Sequence, residues 1–288
     1  MIDGYTRTCG LIGCPVEHTL SPVIHNYLAR RMGDNLVYVP FHVQKGCLEE
    51  AVKGAWALNL LGCNVTVPYK SDVIPFLAEM DPLGARIGAV NTLVRTAEGF
   101  KGYNTDMPGL YRAMVQERVQ IAGERVIVLG AGGVARAVAV MLASKGASRV
   151  VMLNRTVDKA MKIADEVNEM TGRKLAEALP LEDHAVLADG RKYLAIQATS
   201  VGMYPGAEEA VIEDGEFYEL IHTGYDLVFN PADTRFMRLV RAHRGRSFNG
   251  AKMLLYQGII AYELWTGKQV TEELAAEVYQ EMRAAMGL

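Results

Sequence analysis

The sequence predicts an α/β protein of two open α/β domains, because short apolar runs alternate with amphipathic stretches from its start and a second such series begins at Arg125. In the first series Thr8 to Ile12 reads as a strand and Pro22 to Met32 as a helix. Leu36 to Val43 and Leu48 to Asn59 repeat the pair, as do Cys63 to Val67 and Ser71 to Met80. Strand-then-helix order of this kind predicts a mostly parallel sheet covered by helices. Two further runs, Ala89 to Val94 and Phe100 to Tyr103, flank the turn-like Ala97-Glu98-Gly99 and can pair as a hairpin. The second series opens with RVIVLG at 125–130, passes through a helix to RVVMLN at 149–154, and resumes with LAIQAT and YDLVFN. No low-complexity linker separates the two, so the boundary is expected near Met107 to Gly123, within a connecting helix. Helices from about Gly250 to Trp265 and Thr271 to Met286 complete the pattern.

A chain of 288 residues, half of them hydrophobic and 22% charged, can bury the cores this architecture needs. The net charge of −3 and pI near 6.1 offer no general attraction to polyanions, and no basic block interrupts the chain, so nucleic acid is not an expected partner. Four cysteines without a CxxC pair and six histidines without HExxH signal neither a zinc site nor a redox motif, and no metal is expected. Apolar runs such as Ala137 to Ala143 are far shorter than the roughly 20 residues a membrane span needs. The N-terminus lacks a signal-peptide pattern, which makes the cytoplasm the expected location.

The strand RVIVLG runs into Ala131, Gly132, Gly133, Val134 and Ala135, a G-x-G-x-x-A pattern with Gly130 and Gly132 as the glycines and Ala135 in the third place. Val134, Val138, Met141 and Leu142 then form a helical apolar stripe. A glycine at the first position permits the tight turn, one at the second lets backbone approach a pyrophosphate, and the helix N-terminus offers free N–H donors. This context points to a Rossmann-type dinucleotide site; a tight βα turn without ligand is the alternative. Where an NAD enzyme usually has an acidic residue after the second strand, the chain reads Asn154, Arg155, Thr156, with Lys159 shortly after. Cations there suit a 2′-phosphate and favour NADP, unless Arg155 and Lys159 are simply solvated charges at a helix start.

Lys70 follows Asn64-Val65-Thr66-Val67-Pro68-Tyr69, where a strand's C-terminal end opens into a loop, the usual ligand crevice of open α/β sheets. Asn91 and Thr92, and Asn104, Thr105 and Asp106, set short polar side chains beside apolar strands, where they need partners. Gln257 lies on a helical face with Met253, Ile260 and Leu264, and on that ground alone reads as a core amide.

Together these segments make the chain resemble the shikimate dehydrogenase family over nearly its whole length. The matching runs are GCPVEHTLSPVIHN (13–26), NVTVPYK (64–70), GAVNT (88–92), GYNTD (102–106), GAGGVARA (130–137), NRT (154–156), ATSVGM (198–203), DLVFNP (226–231) and NG-x-x-ML-x-x-QG (249–258). The resemblance implies an N-terminal substrate-binding domain (1–106) completed by C-terminal helices (250–288), with an NADP-binding domain (107–249) between. It implies Lys70 and Asp106 as the catalytic pair and Ser21, Thr66, Asn91 and Gln257 as substrate-binding residues, with Thr19 and Phe229 at positions more often occupied by serine and tyrosine. It sets Thr199, Met203 and Gly250 on the cofactor side with the glycine loop.

The implied reaction is the reversible NADP-dependent reduction of 3-dehydroshikimate to shikimate, a step toward aromatic amino acids, in which Lys70 gives the proton while Asp106 orients it and favours its ammonium form. Phe229, Thr19, Gln197 in place of asparagine and Ala251-Lys252 in place of Leu-Gly depart from the family pattern, which keeps quinate or another cyclic polyol acid open as substrate. A folate-linked dehydrogenase is disfavoured by HTLSP, GYNTD and ML-x-x-QG, and an NADP-binding sensor without chemistry by the intact Lys70 and Asp106. The expected assembly is a monomer or homodimer. His18 and His25 read as packing or local hydrogen-bonding residues, and Glu17, Arg136 and Met203 as secondary, although the backbone around Met203 resembles the family's nicotinamide-side loop.

Overall fold

A computed structural model describes residues 2–288. Two compact units emerge from the internal contacts: residues up to Leu110 together with Leu254–Leu288, and Tyr111–Met253.

The first unit holds β1 (Arg7–Gly13), α1 (Ser21–Met32), β2 (Leu36–His42), α2 (Leu48–Ala57), β3 (Gly62–Val65), β4 (Glu79–Met80), α3 (Pro82–Ile87), β5 (Thr92–Arg95) and β6 (Phe100–Tyr103). Its sheet runs β2-β1-β3-β5-β6-β4. Strands β5 and β6 form the expected hairpin, and β5 alone runs antiparallel to its neighbours β3 and β6. One expectation fails: Ser71 to Met80 is not a helix but a series of turns with a 3₁₀ turn at Ile74–Phe76 and the short strand β4. Pro75 lacks the N–H an extended helix would use and its ring crowds the preceding turn. The helix starts later instead, where Asp81 accepts from the N–H groups of Leu83 and Gly84 and Pro82 occupies the first turn.

The helix α4 (Asp106–Gln116) begins in the first unit and ends in the second, whose elements are β7 (Arg125–Leu129), α5 (Gly133–Ser144), β8 (Arg149–Leu153), α6 (Val157–Thr171), β9 (Ala176–Leu179), β10 (Tyr193–Gln197), α7 (Gly215–Glu219), β11 (Ile221–Asp226), α8 (Arg235–Ala242) and β12 (Arg246–Phe248). The sheet is wholly parallel in the order β12-β11-β10-β7-β8-β9. That is the dinucleotide-binding order, with the topological switch between β7 and β10. Strands β7, β8 and β10 are mostly apolar because both faces are covered, with Ile127, Leu129, Val151 and Ala195 fully buried in one cluster with Phe217, Tyr218 and Phe236. The strand expected over YDLVFN stops at Asp226, and the chain leaves the sheet at Leu227.

The chain returns to the first unit through α9 (Ala251–Thr266) and α10 (Glu272–Ala285). Ala261 and Trp265 of α9 share a core with Cys9, Leu11 and Tyr38, and α10 packs on α1. No helix among the described residues is long and apolar enough to cross a membrane.

Candidate active site

Strand direction gathers the polar residues of the first unit at one end of its sheet. The C-terminal ends of β1, β3 and β6 lie together because these strands run the same way, and antiparallel β5 starts at that same end. Asn91, just before β5, thus stands beside the end of β3, donating its N–H to Tyr103 and accepting from Val65. Lys70 lies in the turns after β3, its carbonyl accepting from Val90. Asp106 opens α4, where the helix dipole favours a carboxylate.

These side chains meet. Lys70 Nζ is 2.7 Å from Asp106 Oδ2, and Asn91 Nδ2 donates to Asp106 Oδ1 at 2.8 Å. The same amide nitrogen is 3.5 Å from Gln257 Oε1. The amide's orientation is fixed, since Asn91 Oδ1 accepts from the Thr105 N–H at 2.7 Å and from the hydroxyls of Thr92 and Thr105. Behind it Asn64 donates to Thr92 Oγ1 and the Asn91 carbonyl, and accepts from the Tyr38 hydroxyl at 2.8 Å. Both carboxylate oxygens of Asp106 are therefore held, and Lys70 is aimed by a rigid, fully partnered network. The lysine side chain keeps about a third of its surface open to solvent.

Gln257 is buried, with Nε2 bonded to the Leu254 carbonyl at 2.9 Å. Its backbone lies hard against Gly109 of α4, where a Cβ would stand 2.6 Å from the Gln257 nitrogen. Gly109→Ala is expected to force α9 outward at Gln257 and destabilise the protein by about 1–3 kcal/mol, read as a shift in denaturant midpoint. An unchanged midpoint would mean that the two helices separate freely.

Thr19 and Thr66 lie outside that hydrogen-bonded set, and Ser21 meets it at the Tyr38 hydroxyl. Ser21, buried at the start of α1, donates its N–H to Thr19 Oγ1 at 3.2 Å. Thr66 follows β3, its N–H on the Ile12 carbonyl, and its methyl presses on Gly13, where a Cβ would be 2.4 Å away. His25 is fully buried and stacked on Tyr38 at 4.3 Å; burial holds its pKa down to about 3, so the ring is neutral. His18 is exposed.

In the second unit Gly130 has φ 112°, and a Cβ there would lie 2.8 Å from Thr199 Cγ2, so the loops after β7 and β10 touch at the switch point. Ala131 follows in the turn, and Cβ positions at Gly132 and Gly133 meet nothing within 4 Å. That leaves open space at the N-terminus of α5, while Ala135 in the third motif place is fully buried. Val134 is half exposed. Asn154 Nδ2 bonds the Thr156 carbonyl, and Thr156 starts α6. Arg155 and Lys159 are exposed and make no ion pair or side-chain hydrogen bond among the described residues. Arg136 differs: its guanidinium pairs with Glu166, with Nε 2.7 Å from Oε2. Thr199 donates its N–H and hydroxyl to Gln197 Oε1 at 2.6 and 2.7 Å. Gln197 Nε2 in turn donates to Val201 O and to Asp226 Oδ1. Met203 is half exposed beyond that loop. Gly250 is buried with its N–H on Val228 O, and a Cβ would lie 2.2 Å from the Leu227 carbonyl oxygen. Phe229 is half-buried in the segment after β11.

Three family models align in chain order: the shikimate dehydrogenase substrate-binding domain over residues 11–93, shikimate/quinate 5-dehydrogenase over 113–209, and the shikimate 5′-dehydrogenase C-terminal domain over 250–277. The chain is also 41% identical over 271 residues to the NADP-dependent shikimate dehydrogenase of Desulforamulus reducens, with 92% of each chain covered. It belongs to the shikimate dehydrogenase family. A crystal structure of a shikimate dehydrogenase in complex with NADP+ superposes with a TM-score of 0.88 at 35% identity, covering 98% of this chain and 97% of that one. The Listeria monocytogenes shikimate 5-dehydrogenase, crystallised with shikimate and NAD, gives the same TM-score at 31% identity over 96% and 97%.

As a shikimate dehydrogenase family member, the chain carries features its motifs do not announce. Asn64, Thr92 and Thr105 lie inside the motif runs, yet their function as a scaffold for Asn91 emerges only when β3, β5 and β6 are paired. Gly109 carries no polar signal at all. Lys252, the odd charge before Met253, pairs with Glu117 at 3.3 Å. Burial raises the Glu117 carboxyl above its ordinary value even against that lysine. Among the described residues no group of His, Cys, Asp and Glu is arranged to hold a metal.

Proposed function

We propose that this chain catalyses the reversible NADP-dependent reduction of 3-dehydroshikimate to shikimate, with Lys70 as proton donor. Family membership supports the reaction, and the observation that carries the role of Lys70 is its 2.7 Å contact with an Asp106 held on both oxygens.

NADPH, when bound, supplies the hydride. The open space at Gly132 and Gly133 before α5 suits its pyrophosphate, with Gly130, Ala131, Val134 and Ala135 completing the turn. Arg155 and Lys159, exposed and unpaired, are available to a 2′-phosphate beside Asn154 and Thr156. Thr199, Met203 and Gly250 belong to the cofactor side, with the loop around Met203 toward the nicotinamide.

In the reducing direction Lys70 donates a proton to the ketone oxygen as negative charge develops there; in the oxidising direction the neutral amine takes it back. Asp106 orients the ammonium. Asn91 and Gln257, with Thr19, Ser21 and Thr66, present amide and hydroxyl groups to a polyhydroxy acid, and Phe229 contributes ring surface in place of a hydroxyl. One lost neutral hydrogen bond amounts to about 0.5–1.5 kcal/mol, which lowers affinity without abolishing it.

The test is initial rates with shikimate and with quinate, each paired with NADP and with NAD. Shikimate with NADP is expected to be the preferred pair. Arg155→Ala is expected to raise KM for NADP about tenfold or more, by loss of a charge-assisted hydrogen bond, and to leave NAD kinetics nearly unchanged. Preference for quinate would turn Phe229 and Thr19 into specificity residues, and equal effects on both cofactors would remove Arg155 from the phosphate site.

A further inference from the structure

The first unit carries a second set of reactive side chains, separate from the Lys70 network. Cys14, just past the end of β1, has its Sγ 3.3 Å from Nε2 of His42, the last residue of the adjacent β2. The other ring nitrogen of His42 lies 3.2 Å from Glu17 Oε1. The second Glu17 oxygen accepts the Val16 N–H at 2.9 Å. Hydrogen bonds from its own backbone N–H, from His42 and from Val16 hold the Glu17 carboxyl below its ordinary value, so it faces the imidazole as an anion. Thiol, imidazole and carboxylate thus stand in line, the order in which a base oriented by a carboxylate takes a proton from a nucleophile. His42 and Glu17 keep about half of their side-chain surface open, and Cys14 is partly exposed, so small solutes reach the group.

We propose that Cys14, His42 and Glu17 form a peroxide-reactive site at which oxidation of the Cys14 thiol to a sulfenic acid weakens hydroxy-acid binding. His42 takes the thiol proton; the sulfur attacks one oxygen of hydrogen peroxide, an S–O bond forms as the O–O bond breaks, and the departing hydroxide takes the proton from the imidazolium to leave water. Sulfur loses two electrons and the peroxide gains them. The effect on binding rests on the function proposed above and follows from short connections. The Cys14 N–H is bonded to the Val67 carbonyl at 3.1 Å, and Gly13 presses on Thr66. An oxygen added at Sγ therefore loads the 13–19 segment, which carries Thr19, is hydrogen-bonded to the chain at Val67 and presses on Thr66.

The protein contains its own controls. Cys9 and Cys63 are buried, and burial pushes both thiols up, Cys63 to about 12. Cys47 is exposed but has no imidazole partner among the described residues. Purified protein is exposed to hydrogen peroxide at pH 7 with dimedone present, and adducts are located by mass spectrometry. Cys14 is expected to be trapped about tenfold faster than Cys47, with the advantage lost in His42→Gln and reduced in Glu17→Gln. Equal rates at Cys14 and Cys47, or an unaltered rate in His42→Gln, would overturn the site whatever the enzyme's substrate. In the second arm, peroxide should raise KM for shikimate severalfold, reversibly with dithiothreitol, in wild type but not in Cys14→Ser. Adduct formation without a change in KM would overturn the coupling.

Discussion

Lys70→Ala is expected to lower kcat for shikimate oxidation by roughly a hundredfold to ten-thousandfold, the range for a positioned general acid–base group, while the dissociation constant for NADP stays within about twofold. The split follows from the structure: Lys70 belongs to the network of Asp106 and Asn91 in the first unit, and the glycine turn after β7 to the second. Asp106→Asn keeps the shape and the neighbouring Asn91 but removes the charge that aims the ammonium, and should fall between the alanine variant and wild type. Initial rates, with NADP binding titrated by calorimetry, measure both quantities. A Lys70→Ala enzyme within tenfold of wild type would reduce the pair to a surface ion pair.

The second large effect is on stability and appears as a slope against pH. Asp226 has no exposed surface, and burial lifts its carboxyl to about 6 despite hydrogen bonds from Thr234, Val228 and Gln197. In the unfolded chain the same group titrates near 3.8. Between those values the folded protein holds a proton at Asp226 that the unfolded chain has released, so the contribution of this group to stability falls as pH rises from about 4 to about 6 and is level above. A shift of about two units corresponds to up to about 3 kcal/mol. Asp226→Asn cannot ionise and should lose this slope. Relative to wild type the variant should gain up to about 3 kcal/mol between pH 4 and pH 7, on top of a constant offset from its altered hydrogen bonds. Urea unfolding at four pH values separates slope from offset; parallel curves for the two proteins would show that Asp226 titrates alike folded and unfolded.

What the sequence disclosed depended on how local the cause was. The glycine turn after β7 and the apolar strands around it are visible because turn chemistry and burial on both faces act within a few residues. Lys70 stands out because Pro68 closes the run before it. The helix expected at Ser71 to Met80 does not form because Pro75 interrupts a segment whose apolar spacing alone suits a helix, and α3 leaves no trace because six residues are too few to show a period. Edge strands β9 and β12 are short and carry few buried residues, so no alternation marks them. In the sequence Gln197 reads only as a departure from the family pattern that bears on substrate. Its meaning lies in Asp226 and Thr199, which it joins across the parallel pair β10 and β11. Gly109 and Lys252 are the same kind of case, each defined by a partner far along the chain or on another element.

The interrupted first unit also has a consequence in time. Its residues from Leu254 onward are encoded after the whole of the second unit, yet Trp265 donates to the Leu93 carbonyl at 2.9 Å, Lys268 pairs with Asp34, and Gln257 reaches Asn91. During synthesis the continuous second unit can close while β1 to β6 still wait for the helix that covers Cys9 and Tyr38. A nascent chain would thus acquire its cofactor fold first, and the bed for its substrate only once residues 254–288 have left the ribosome.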